Sequence, residues 1–553
     1  MAVASYTTDL ADFETFEGTP GGSLVEMTNF TTTQQNTFAD DDTDNPIQSN
    51  THGSVAQRTA GAGSIVFDRT TGVTLAAGEA FFIWANFLQS QAVDTFTNDG
   101  IVGFVGTGTG AYYVWTIGGS DFGRNPYGGY ANYVIDPTIT TGRTTQGSPG
   151  TTYTHVGWGA NVIAAIAKGS PFNIDAIRYG RGEVIVTGGT TPDPAAEFDS
   201  LAAQNDAVAN RWGLFSEQFG SYLWKGLISL GTSATAVDFQ AANRIITIDN
   251  TLRVAAGFNR IEINNTSSNI DWDAINITSL STVSRGQFEM IDGATLDFNT
   301  CVFTDMDTFI FNKGTGACNL LNNTWRRCRA ITQGGATFTN CLFDNTDSGA
   351  TESLISTTTT ISLITNCDFN RASGTVNAVF IDNITTTGTL TWSGNSLTGY
   401  GSQTVGTGIS STAGGALRLR FTSGTPTITI SVVSGATVPT VEIVNAGGTG
   451  TVNIEQNVGI TIDVKDAGGT AINGAQVAVF NETTGATITN QLTDSSGNFS
   501  SVVTTAANTP IVLRVRKSTT GSTRYIPIET TTNTGATGVS VSVTLVEDEL
   551  VEL

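Results

Sequence analysis

Through the middle of the chain, from about residue 231 to 400, a phrase recurs in which one apolar residue is followed five positions later by another across a short polar turn. Four copies are Phe298-Asn-Thr-Cys-Val-Phe303, Phe338-Thr-Asn-Cys-Leu-Phe343, Ile364-Thr-Asn-Cys-Asp-Phe369 and Trp392-Ser-Gly-Asn-Ser-Leu397, with a looser fifth, Leu320-Leu-Asn-Asn-Thr-Trp325. Successive starts lie 22, 18, 26 and 28 residues apart. This period predicts one copy per turn of a parallel β-helix: no coil can bury its inward residues alone, so coils stack and insertions loop outward. Cys301, Cys341 and Cys367 share one place in the phrase and predict an internal ladder of compact, apolar thiols. Asn299, Asn323, Asn340 and Asn366 sit in or beside the turns, where asparagine tolerates left-handed backbone. The same texture upstream, in IITIDNTLRV and NIDWDAINITSL, starts the coils near 235, and 401–458 reads as either the last coils or a separate small β layer.

The flanks have other rhythms. Residues 61–190 alternate aromatic strands with glycine turns (AFFIWANFLQ, AYYVWTIGG, YANYVIDP, HVGWGANVI, GEVIVTGG), the pattern of a sandwich or jelly roll. Residues 191–234 hold one helical stretch, opened by prolines, with Phe198, Leu201, Val208 and Trp212 at near-helical spacing. It precedes an aromatic segment, Trp212, Phe215, Phe219, Tyr222 and Trp224, suited to cap the open end of a solenoid. Residues 1–60 are polar and turn-rich and read as an arm or attachment segment. Residues 459–553 show seven or so short strands of a compact sandwich. The predicted class is therefore all-β: a jelly-roll sandwich (61–190), a helix and cap (191–234), a right-handed parallel β-helix (235–458) and an Ig-like, transthyretin-like sandwich (459–553), with one short connecting helix.

Two of these modules carry family resemblances. The 61–190 stretch, ending in PFNIDAIRYGRGEVIVTGG, resembles the concanavalin-like jelly rolls of phage structural proteins, which implies carbohydrate contact or a packing role. The C-terminal phrase from Asp466 through AGGTAINGAQVAVF to Asn481, followed by TDSSGNFS, resembles the carboxypeptidase-regulatory-like fold, which implies a non-catalytic spacer or adhesive unit. The order of modules resembles virion surface proteins of tailed bacteriophages.

Composition narrows the partners. A formal charge of −23 and the absence of a basic stripe argue against nucleic acid, because phosphate binding needs clustered Lys and Arg. The five cysteines form no CxxC pair and the two histidines, His52 and His155, lie far from them in sequence, so no zinc site is expected. The opening MAVASYTTDLADFETFEG lacks a basic-then-apolar leader and no apolar run approaches a membrane span, so neither signal peptide nor membrane insertion is expected.

Candidate chemistry is sparse. Tyr112, Tyr113, Trp115, Tyr130, Tyr133 and Trp158 offer either a sugar-stacking face or sandwich core. Asp40, Asp41, Asp42 and Asp44 form an acidic run without the spaced calcium-loop pattern. Asp271, Asp273, Glu289, Asp292, Asp297, Asp305, Asp307 and Asp344 are the carboxylates a glycan-cleaving spike would draw on. Lys465 lies on the first strand of the last module, where related adhesin modules form isopeptide bonds, yet no clear asparagine partner follows in VSVSVTLVEDE. No catalytic, cofactor or metal residue is assigned. The expectation is a non-enzymatic structural component of a bacteriophage virion, of tail-fibre or spike type, made in the host cytoplasm and displayed on the virion surface. Its partners would be itself, as a homotrimer, other virion proteins and host surface glycans. The rivals are a capsid decoration, a polysaccharide-cleaving tailspike and a bacterial surface adhesin.

Overall fold

The computed structural model describes residues 4–30, 39–42, 46–48, 51–57, 61–87, 96–117, 130–162, 170–189, 197–218, 220–248, 259–280, 285–291, 293–345, 352–372, 376–433, 435–505, 508–518, 522–535 and 538–549. The chain is all-β, with one short α-helix, Glu197–Asp206, among these residues. It divides into two units, Met1–Cys318 and Asn319–Leu553.

The first unit opens with an antiparallel sandwich. One sheet runs Tyr130–Ile135, Ala80–Phe87, Ser170–Gly180, His52–Gln57, Ala39–Asp42, and the other runs Arg143–Gln146, Ala111–Ile117, Phe96–Gly108, Thr152–Val162, Gly61–Thr74, Gly22–Val25. Phe67, Phe81, Ile83, Tyr133, Trp158 and Ile174 are buried between them, the inward half of each strand's alternation. The expected N-terminal arm is not irregular: Ser5–Thr8 pairs with Glu183–Thr187, Ala11–Glu14 with Ser170–Gly180, and Gly22–Val25 with Gly61–Thr74. Its few apolar residues explain this, since Phe13, Phe16 and Leu24 are all core.

Parallel coils follow in the same unit and begin earlier than residue 235. Glu183–Thr187, grouped by sequence with the jelly roll, pairs in parallel with Leu227–Leu230, which pairs in turn with Arg260–Ile263, Gln287–Met290 and Thr308–Phe311 in register. Two further parallel ladders complete each coil: Ile245–Ile248, Asn276–Ser279, Val302–Thr304, and Asp238–Ala242, Asn269–Asp273, Thr295–Asn299. The helix closes this core. Phe198 stacks on Phe215 at 5.5 Å and meets Phe239 and Trp272 at 5.0 and 5.5 Å. Asp199 accepts two hydrogen bonds from the Arg244 guanidinium, at 2.7 and 2.6 Å, and one from the Tyr222 hydroxyl. The helix is shorter than its pattern predicts. It ends at Asp206, leaving Val208 exposed, while Trp212 is buried beyond it. The prolines expected to open it, and Phe219, lie outside the described residues.

The second unit has three parallel ladders of its own. They run Ala330–Thr332 to Val441–Asn445, Thr324–Arg326 to Ser396–Thr398, and Cys318–Leu321 to Thr451–Asp466. Stretch 401–458 thus forms last coils, with Leu390, Ile430 and Ile454 stacked in register. Strand Thr451–Asp466 leaves the final coil without a break: its first half pairs with Thr427–Val433, its second with Asn498–Thr504 and Gly538–Leu545. Opposite lies the sheet Thr487–Leu492, Gln476–Asn481, Pro510–Arg516, Ile528–Asn533. Val458, Ile460, Ile462, Val477, Val479, Phe499, Leu513 and Val515 fill the space between the two sheets. Asp466 and Asp494 each fold back to accept backbone N–H groups two and four residues on, which makes the two turns of the phrase read from sequence.

Candidate functional site

The recurring phrase is a corner of the coil. Its third residue is left-handed in copy after copy: Asn243, Ala274, Thr300, Asn322, Asn340, Asn366 and Gly394 have φ between 53° and 66°. Of the asparagines expected in or beside the turns, Asn340 and Asn366 hold the left-handed position itself, and Asn299 and Asn323 lie beside it, next to Thr300 and Asn322. The fourth residue points inward: Cys301, Asn323, Cys341, Cys367 and Asn395 are all buried. Each thiol donates to a carbonyl one coil back, Cys301 to Trp272, Cys341 to Leu320 and Cys367 to Phe338, at 3.5, 3.2 and 3.6 Å. All five cysteines are free thiols. Burial pushes the Cys301 thiol up to about 12, and burial likewise raises Cys318. These are packing groups, poor nucleophiles at neutral pH.

Aromatic stacks run on the strands before and after this corner. In the first unit Trp272 lies on Phe298 at 4.5 Å; in the second, Trp325 lies on Phe343 at 5.1 Å and Phe343 on Phe369 at 4.6 Å. Parallel in-register pairing enforces this, because like positions of successive coils sit one strand spacing apart, about 4.8 Å.

The aromatic residues considered for sugar stacking are mostly interior. Tyr112, Trp115, Tyr130, Tyr133 and Trp158 are buried, and Tyr113 lies under the Arg143 guanidinium at 4.2 Å. Tyr130 and Tyr133 face opposite sides of their strand. Tyr133 joins the main core, whereas Tyr130 joins a smaller cluster with Ile47, Trp84 and Ala176. His52 and His155 lie on different sheets of the sandwich; His155 faces Asp68 at 3.5 Å, and burial lowers its pKa.

The carboxylates divide. Glu289 is paired with Arg260 at 3.2 Å, Asp344 with Arg326 at 3.2 Å, Asp307 accepts from Gln287 at 3.0 Å, and Asp305 is a left-handed turn residue. Asp292 and Asp44 lie outside the described residues; Asp40, Asp41 and Asp42 belong to an outer strand of the sandwich. Asp271 and Asp297 come together, directly paired on neighbouring parallel strands of the first unit. Partial burial raises both pKa values, aided at Asp271 by Asp273 and Asp238 and at Asp297 by Asp271.

A cleft of about 450 Å³ lies on the outer face of the four-stranded sheet of the C-terminal sandwich. Asn490, Ala478, Arg514 and Glu529 form one straight row across its strands. The small Ala478 side chain lowers the floor, with Gln476 and Phe480 before and after it on the same strand. Arg514 is held over the Phe480 ring at 5.0 Å and donates its Nε to Glu529 at 2.6 Å. Arg516 donates Nε and Nη2 to Gln476 Oε1, and Gln476 Nε2 donates to Asn490. The sequence pattern did not single these residues out; the signal present was that Arg514, Arg516 and Lys517 gather within four positions of an acidic chain. Lys465 is paired with Asp463 on its own strand.

No family model and no curated protein matches the chain. Among solved structures it has a partial likeness to "The Bacillus anthracis TIE protein", 14% identical, covering 20% of this chain and 20% of that one, with a TM-score of 0.14. No helix among the described residues is long and apolar enough to cross a membrane.

Proposed function

We propose that this chain is a non-enzymatic structural component of a bacteriophage virion surface, of tail-fibre or spike type, that meets the host surface. The observation carrying this reading is the unbroken strand Thr451–Asp466, which ends a stack of in-register coils and starts the Ig-like sandwich. Stacked coils hydrogen-bonded along every strand resist bending, and a sandwich grown directly from the last coil is a fixed tip rather than a tethered one. Weak contacts at such a tip gain strength from copy number, so self-association, as a homotrimer, belongs to the same reading. A test is competition: the purified full chain, added to host cells before phage, should reduce adsorption, and no reduction at saturating protein counts against host contact.

A second reading, glycan cleavage, has one observation in its favour. Asp271 and Asp297 are neighbours on adjacent strands with raised pKa values, and strand spacing is close to the separation of a retaining carboxylate pair, about 5 Å. Release of reducing ends from host polysaccharide, abolished by Asp271→Asn, would establish it.

A further inference from the structure

We infer that the cleft on the C-terminal sandwich binds an acidic saccharide, its carboxylate held by Arg514 and Arg516. The inference takes from the proposed function only the source of the ligand, the host surface.

The geometry selects for an anion first. The whole chain carries −23, yet this cleft presents two guanidiniums against one carboxylate, Glu529. Both arginines are set in place by neighbours: Arg514 by the Phe480 ring and Glu529, Arg516 by the Gln476 side-chain amide oxygen. Arg514 spends only Nε on Glu529, and Arg516 spends Nε and Nη2 on Gln476. Their remaining N–H donors match the planar, two-pronged demand of a carboxylate.

Size and polarity then select a saccharide. About 450 Å³ is in the range of small-molecule sites. Gln476 and Asn490 supply amide groups at one end, suited to hydroxyls, and Pro527 supplies apolar surface at the other. A long polyanion is disfavoured by the acidic field of the rest of the chain. Ala478 keeps the floor open: a larger side chain there would fill the space between Asn490 and Arg514.

The test is an array of neutral, uronic-acid-bearing and sialic-acid-bearing glycans probed with the full chain. Binding is expected on carboxylated glycans, at least tenfold weaker on their methyl esters, and at least tenfold weaker for Arg514→Gln and for Ala478→Leu. Arg524→Gln, outside the cleft, should bind as the parent does, and an unchanged unfolding midpoint shows that each variant is folded. Absence of binding to every carboxylated glycan overturns the inference, as does binding indifferent to esterification or to Arg514→Gln. A chain found on virions that binds no acidic glycan refutes the cleft alone; one that binds but is absent from virions refutes the virion reading alone.

Discussion

Asn395 joins two successive coils of the second unit: its Oδ1 accepts the backbone N–H of Cys367 at 2.9 Å while its Nδ2 donates to the carbonyl of Ile364 at 2.9 Å. It stands where three other copies of the corner carry cysteine. The amide does with two strong hydrogen bonds what each thiol does with a weak one. Asn395→Ala strands a buried donor and acceptor and should cost about 3 kcal/mol, read as a lowered urea midpoint of the full chain. Asn395→Cys should cost less, since the thiol repeats the neighbouring corners.

Ala274 sits at φ 53° in a corner that mostly uses asparagine, with threonine at Thr300 and glycine at Gly394. An L-residue other than asparagine or aspartate pays roughly 1–2 kcal/mol there. Ala274→Asn should therefore raise the unfolding midpoint, by up to about 1 kcal/mol of stability once unfolded-state effects are included; a lower midpoint would show that the corner is relaxed around alanine.

The buried thiols should be silent. With the protein folded at pH 8, a thiol reagent should label none of the five cysteines within minutes, and in denaturant it should label all five. Rapid labelling of Cys301 or Cys367 in the native chain would contradict the corner packing.

Asp297 gives a pH dependence of defined sign. Its folded pKa is raised, so the folded state holds a proton more tightly than the unfolded chain. Stability at this site is therefore greatest at low pH and is lost as pH rises from the ordinary carboxylate value, about 3.9, through the raised one. Asp297→Asn should raise the melting temperature at pH 7, with the gain shrinking toward pH 4. A variant that melts lower at pH 7 would indicate an attractive partner for the carboxylate.

The helix should act as a lid on the coil core of the first unit. Phe198→Ala removes an aromatic side chain from between Phe215, Phe239 and Trp272 and should cost about 3–5 kcal/mol. Arg244→Ala should leave the core intact yet speed amide hydrogen exchange across Glu197–Asp206, because it removes the clamp on Asp199.

Much of this was legible in the sequence because a solenoid writes its periodicity into its corners. Within the second unit Phe338, Ile364 and Trp392 mark one ladder, and Cys341 and Cys367 mark the buried corner position beside it. The N-terminal strands were less visible: Phe13 and Leu24 are core residues in short strands that pair with partners more than 40 residues away, which no local pattern encodes. Strand Glu183–Thr187 was misassigned for a related reason, since a buried apolar strand reads alike whether its neighbour is antiparallel or parallel. The cleft was invisible for a third. Gln476, Ala478, Asn490 and Arg514 become one surface only when three strands are in register.

Electron cryo-microscopy of purified phage particles would show where this chain sits. Density for the coils and their C-terminal sandwich is expected to project from the tail tip or baseplate, in a small, symmetric number of copies. Regular density across the capsid would contradict the fibre or spike role, and particles lacking the chain altogether would contradict the virion reading itself.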